Sequence, residues 1–144
     1  ASTGFVDFLR GTDTGASLPK LTVTDPPTGL TVLLAGRRGN FATDELFMGS
    51  EMTKLIAVAR RNFDYVILDT PPVEPVVDGL YLARHADVIA FVVKWAVTPQ
   101  TSAKRAVAAL QESAPEDTPI VAVLNQQERA KLFGYYTYSD YYIE

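Results

Sequence analysis

Four stretches of the chain are apolar almost throughout: residues 29–36 (GLTVLLAG), 64–69 (DYVILD), 87–93 (DVIAFVV) and 118–125 (TPIVAVLN). Each is short, rich in β-branched residues and bounded by turn-forming residues, as expected of strands buried on both faces. Between them the period changes. Met48, Met52, Leu55, Ile56 and Ala59 recur at helical spacing, and Arg60 and Arg61 are placed to offset the carbonyl end of that helix. Asp78 is positioned to cap a helix through Ala86. Thr98-Pro99 is a start signal for another helix, with Ala103, Ala106, Val107 and Leu110 on its inner face. Ahead of residue 29 the pattern is mixed. GFVDFLRG suggests a short helical turn closed by Gly11, and TDTGASLPKLTVTDPPTG suggests a loop containing one short strand at Leu21–Thr24. Doubly apolar strands alternating with helices predict an α/β fold, a doubly wound and mostly parallel sheet covered on both sides.

Composition narrows the function without choosing it. The 144 residues suffice for one domain with a real core, and 47% hydrophobic with 21% charged residues is ordinary for a soluble protein. A net charge of −4 provides no basic footprint, so no nucleic-acid partner is expected. Without cysteine there is neither a disulfide framework nor a thiolate metal site, and the single histidine, His85, excludes a multi-histidine cluster. No apolar run reaches the roughly 18–20 residues of a membrane span, and no signal peptide opens the chain, so a cytoplasmic domain is expected.

The candidate chemistry gathers at strand ends. In parallel α/β sheets ligands bind beyond the carboxyl ends of the strands. Asp69 ends the second predicted strand just before Thr70-Pro71-Pro72, and Asn125 ends the fourth. Asp69 fits three roles: a Walker-B acid organising magnesium, the phosphoacceptor of a receiver domain, or a turn cap. The receiver fails because the first strand is followed by AGRRGN, which lacks the acidic pair such a site needs, and Lys94 alone does not rescue it. The Walker-B reading lacks its usual companion, because no G-x-x-x-x-G-K-[ST] loop occurs in these residues. Asn125 is suited either to reading an adenine edge or to capping a turn. Asp78 and His85 read as structural, Arg37 and Arg38 as a solvated loop, and Trp95 as a subunit contact. The end of the chain carries Tyr135, Tyr136, Tyr138, Tyr141 and Tyr142, at a spacing that follows neither helix nor strand. They are either phosphoacceptors or a sticky tail. Arg129 and Lys131, just before them, are candidates to steer the tail or meet phosphate.

Several of these segments together resemble the C-terminal part of the bacterial tyrosine kinases, the P-loop autokinases of exopolysaccharide and capsule assembly. GFVDFLRG is similar to that family's segment after its Walker-A′ strand, and GLTVLLAGRRGNFATDELFMGSEM to its next strand, turn and helix. FDYVILDTPPV, followed by VVDG and HADVIAFVV, resembles the Walker-B strand, double-proline turn and following strand. VAVLN resembles the strand whose asparagine faces the base, and the tyrosine cluster resembles the autophosphorylated tail. Phe41 and Ala42 depart from the family's proline-containing turn.

The resemblance implies a P-loop NTPase-type sheet lacking its Walker-A strand and loop over residues 1–133, then a tyrosine-rich tail over 134–144. The expected source is a longer kinase whose Walker-A elements lie upstream of Ala1, with this piece inactive alone. It implies ATP and Mg2+ as cofactors, Asp69 as the catalytic and magnesium-organising residue, and Asn125 at the nucleotide. The five tail tyrosines become acceptors, and the implied reaction is protein-tyrosine autophosphorylation controlling polysaccharide polymerisation and export. The implied partners are a membrane chain-length co-polymerase protein or domain, a tyrosine phosphatase and further copies of the chain through the tail, at the cytoplasmic side of the bacterial inner membrane. The alternatives are a non-catalytic pseudo-kinase interaction domain and a partition-type P-loop ATPase.

Overall fold

The computed structural model describes residues 5–9, 21–33 and 43–127. Strands β1 (Thr22–Thr24) and β2 (Thr31–Leu33) form an antiparallel hairpin in which Thr24 faces Thr31. Its turn is fixed locally. Asp25 Oδ2 accepts a 2.6 Å hydrogen bond from the Thr28 hydroxyl, whose oxygen accepts from the Leu30 amide at 3.2 Å. The Gly29 amide donates to the Asp25 carbonyl at 2.8 Å, with φ at 71°, a conformation that costs glycine nothing. The run at 29–36 thus supplies a short hairpin strand, not a buried parallel one, and Val32 is exposed. Residues 34–36 lie outside the described set.

Helices α1 (Phe5–Leu9), α2 (Thr43–Met48), α3 (Ser50–Asn62) and α4 (Asp78–Ala83) build the main core. Extended backbone at Gly49 separates α2 from α3. Met52, Leu55 and Ile56 project from one face of α3 and pack with Leu9 and Leu82. Phe5, Phe8, Leu33, Leu46, Phe47 and Leu68 close around this cluster, with the Phe5 and Phe47 rings 6.4 Å apart in a tilted arrangement. Met48, on the predicted inner face, is instead exposed: it ends α2, and the break at Gly49 takes it out of register with α3.

Strand β3 (Ile89–Lys94), helix α5 (Gln100–Ser113) and strand β4 (Ile120–Asn125) form a βαβ unit, with the two strands parallel and paired from Ile89–Ile120 to Lys94–Asn125. Pro99 caps α5, and Ala106 and Leu110 are buried on the predicted inner face, while Ala103 and Val107 are half-buried. The α3 C-terminus is tied to the connection before β3. The Arg60 guanidinium donates to the His85 carbonyl at 2.9 Å and to Asp87 Oδ1 at 2.7 Å.

The expected second strand differs as well. Residues 64–69 do not form a strand among the described residues, and the continuous parallel sheet is replaced by two two-stranded sheets, of which only β3–β4 is parallel. The side chains of residues 64–69 still alternate in exposure. Tyr65 and Ile67 are 89% and 86% exposed, whereas Leu68 is half-buried against the core. Residues 64–72 make no backbone–backbone hydrogen bond to other described residues. An apolar run becomes a strand only where a neighbouring edge supplies its ladder, so composition alone does not fix the pairing. The mixture of helices and strands agrees with the α/β class. No helix among the described residues is long and apolar enough to cross a membrane.

Candidate functional site

Asp69 sits where the segment 64–69 leaves the core. Leu68, immediately before it, is anchored on the α1–α4 cluster, so the aspartate's backbone is held while its side chain faces solvent. The following residues cannot fold back into a helix. Pro71 and Pro72 each fix φ near −65° and bias the preceding residue to extended geometry. Thr70 then rests on α4. A β-carbon built on the buried Gly79 would lie 3.5 Å from Thr70 Oγ1 and 3.9 Å from the Pro71 carbonyl oxygen. A larger side chain at 79 would push that turn outward. Asp69 is thus presented on a short arm fixed at Leu68 and again at Thr70–Pro71.

Beyond Pro72 the chain turns through residues 73–75, and a second helix touches it. Arg105 of α5 donates from Nε to Glu74 Oε1 at 3.1 Å, and its terminal nitrogen lies 3.0 Å from the same oxygen. Neither residue is marked by the sequence pattern. They are 31 positions apart, and each reads locally as an ordinary solvated charge.

At the other strand ends the register places Lys94 beside Asn125. The Trp95 amide donates to the Asn125 carbonyl at 2.9 Å, extending the ladder by one bond. The Lys94 amide donates to Thr98 Oγ1 at 3.1 Å, closing the loop before α5, with Ala96 in the left-handed region at φ 53°. Asn125 Oδ1 accepts from the Gln126 amide at 2.8 Å, and Gln126 also has a left-handed φ of 57°. The asparagine side chain therefore caps its own turn through oxygen, and its Nδ2 donates to no other described residue. No hydrogen bond or ion pair links Asp69 to Lys94 or Asn125 among the described residues.

Asp78 is the first residue of α4, where a carboxylate suits the exposed amides of the helix start. His85 lies in the turn after α4. Burial, then the charges of Arg84 and Arg60, hold its pKa below the ordinary 6.5. Trp95 is partly exposed at the end of β3. Arg37, Arg38, Phe41, Ala42, Arg129, Lys131 and the tail tyrosines Tyr135, Tyr136, Tyr138, Tyr141 and Tyr142 lie outside the described residues. Among the described residues no group of three or more His, Cys, Asp or Glu side chains is placed to hold a metal. Magnesium is commonly held by only one or two carboxylates, which share the ion with substrate phosphates and water.

No family model matches the chain. It is 34% identical over 156 aligned residues to the succinoglycan biosynthesis transport protein ExoP of Rhizobium meliloti, covering 99% of this chain and 19% of that protein. It is 26% identical over 139 residues to the tyrosine-protein kinase wzc of Salmonella typhimurium, covering 94% of this chain and 18% of the kinase. The chain thus spans about a fifth of the length of these curated relatives. Among solved structures, the VpsO kinase domain superimposes with a TM-score of 0.74 at 26% identity, covering 88% of this chain and 60% of that one. The kinase domain of Escherichia coli tyrosine kinase ETK superimposes with a TM-score of 0.70 at 23% identity, covering 92% of this chain and 51% of that one, a likeness of fold. Sequence and fold agree over nearly the same span, and the chain belongs to the bacterial tyrosine kinase family.

Proposed function

We propose that the chain is part of an ATP-dependent protein-tyrosine autokinase that regulates polymerisation and export of an exopolysaccharide or capsule. The observation that carries this reading is the 34% identity to a succinoglycan biosynthesis transport protein over 99% of the chain. A protein named as a tyrosine kinase matches nearly the same span. The arrangement around Asp69 supports it: an exposed carboxylate on a proline-stiffened arm is suited to organising magnesium at a fixed place. With ATP bound, that ion would supply charge neutralisation on the phosphates.

The chain's own residues then divide the work. Asp69 holds and orients the ion, and Leu68, Thr70 and Pro71 keep that carboxylate from swinging away. Asn125 donates from Nδ2 to the nucleotide base while its oxygen stays on the Gln126 amide. Tyr135, Tyr136, Tyr138, Tyr141 and Tyr142 are the acceptors, delivered to a neighbouring copy's site. Phosphates there add about −1.5 to −2 charge each and loosen the assembly by mutual repulsion. The fitting partners are a membrane co-polymerase protein or domain and a tyrosine phosphatase, at the cytoplasmic side of the inner membrane.

The test is Asp69→Asn in the full-length protein. The change is nearly isosteric and the residue is exposed, so the melting curve should stay within a degree or two (an exposed substitution moves stability by about 0.5 kcal/mol or less). Autophosphorylation should fall by orders of magnitude. Near-normal phosphorylation would reduce Asp69 to a turn residue.

A further inference from the structure

The Asp69 arm has a third point of attachment, on a helix that plays no part in the role assigned to Asp69 above. Its first two fixings, Leu68 on the core and Thr70–Pro71 on Gly79, both belong to the α1–α4 body. The third is Arg105, which reaches Glu74 from the βαβ unit. Its guanidinium directs two nitrogens at a single oxygen, Oε1, at 3.1 and 3.0 Å, and its terminal nitrogen also lies 3.4 Å from Ser102 Oγ on the preceding turn of α5. Ser102 thus helps hold Arg105 in the rotamer that meets Glu74. Between Asp69 and Glu74 the chain contains Pro71 and Pro72, whose fixed φ angles stiffen the backbone that links the two residues.

We infer that Arg105 is a positioning residue that acts through Glu74 and the double-proline turn to set where Asp69 presents its carboxylate. This rests on the reading of Asp69 as the magnesium-organising residue. The same α5 follows directly from the β3 end that carries Lys94, through the loop closed by Thr98. The pair therefore registers the Asp69 arm against the strand ends of the β3–β4 unit, two parts of the site that no other hydrogen bond joins among the described residues. Such a link need not add much stability. Both side chains are substantially exposed, and exposed pairs contribute little to folding. Its effect lies in geometry at the ion.

The test uses the full-length protein and the magnesium concentration giving half-maximal autophosphorylation at saturating ATP. Arg105→Ala and Glu74→Gln should each raise that concentration about two- to five-fold, the range that an exposed pair can supply. The double variant should shift it no further than either single change, because the two act as one unit. Melting curves should be nearly unchanged. An unaltered magnesium dependence in Arg105→Ala, with Asp69→Asn still abolishing transfer, would overturn the inference and leave the kinase reading intact. Additive shifts in the double variant would also overturn it. If Asp69→Asn leaves phosphorylation intact, the underlying reading falls, and the positioning role with it.

Discussion

The two methionines of the chain offer a direct check on how α2, α3 and the core are arranged. Helical spacing groups Met48 with Met52 on one inner face, but the break at Gly49 separates them. Met52 is 2% exposed among Leu9, Leu55, Ile56 and Leu82, whereas Met48 is 55% exposed. Met52→Ala removes three side-chain heavy atoms from a closed apolar cluster. The loss combines the transfer free energy of those atoms with the cavity they leave, about 2–4 kcal/mol. Met48→Ala removes the same atoms from a surface and should cost about 0.5 kcal/mol or less. Any gain in helix propensity from alanine applies to both and cancels in the comparison. In urea, with a slope of about 2 kcal/mol per molar, Met52→Ala should lower the midpoint by about 1–2 M and Met48→Ala by under about 0.3 M. Far-UV circular dichroism follows the helices, and Trp95, the single tryptophan, reports on the end of β3. Equal shifts for the two variants would refute the placement of α2 relative to α3.

Other consequences follow from the same contacts. Gly79→Ala should be neutral or stabilising by up to about 1 kcal/mol by denaturation, since its β-carbon meets Thr70 at ordinary contact distance and alanine favours helix. Gly79→Leu should destabilise the protein and disturb the Asp69 arm together. The lowered pKa of His85 makes its neutral form the one that favours folding. The unfolded chain then binds more protons between the depressed native value and 6.5, so this contribution is present above pH 6.5 and is lost as pH falls through that window. His85→Gln should flatten the slope of stability against pH there, and an unchanged slope would place the titration on another group.

The sequence carries the helices and the βαβ unit clearly, because their apolar periods and start signals are local. Ala106 and Leu110 are buried where the spacing of α5 puts them, and the Thr98-Pro99 signal lies one residue from the helix start. It carries the pairing of residues 64–69 poorly. Valine, isoleucine and leucine announce a strand, but ladder bonds depend on a neighbour that no local pattern specifies, and Tyr65 and Ile67 stand in solvent. Candidate chemistry divides along the same line. Asp69 and Asn125 were legible as polar residues closing apolar runs. The Oδ1 cap on Gln126, the Thr70–Gly79 packing and the Arg105–Glu74 link were not, since each is settled by tertiary contact or backbone twist. The Gly49 break was also hidden, because a glycine inside a helical pattern is often tolerated there.

The exposure of Tyr65 sharpens the decisive measurement, since burial does not protect that hydroxyl in this structure. Full-length protein incubated with ATP and Mg2+ should be digested and its phosphotyrosines mapped by mass spectrometry, beside Asp69→Asn and a variant with all five tail tyrosines changed to phenylalanine. Phosphate is expected on Tyr135, Tyr136, Tyr138, Tyr141 and Tyr142, with almost none in Asp69→Asn and most of the signal lost in the phenylalanine variant. Phosphate found mainly on Tyr65 or Tyr81, or no phosphotyrosine at all, would contradict it.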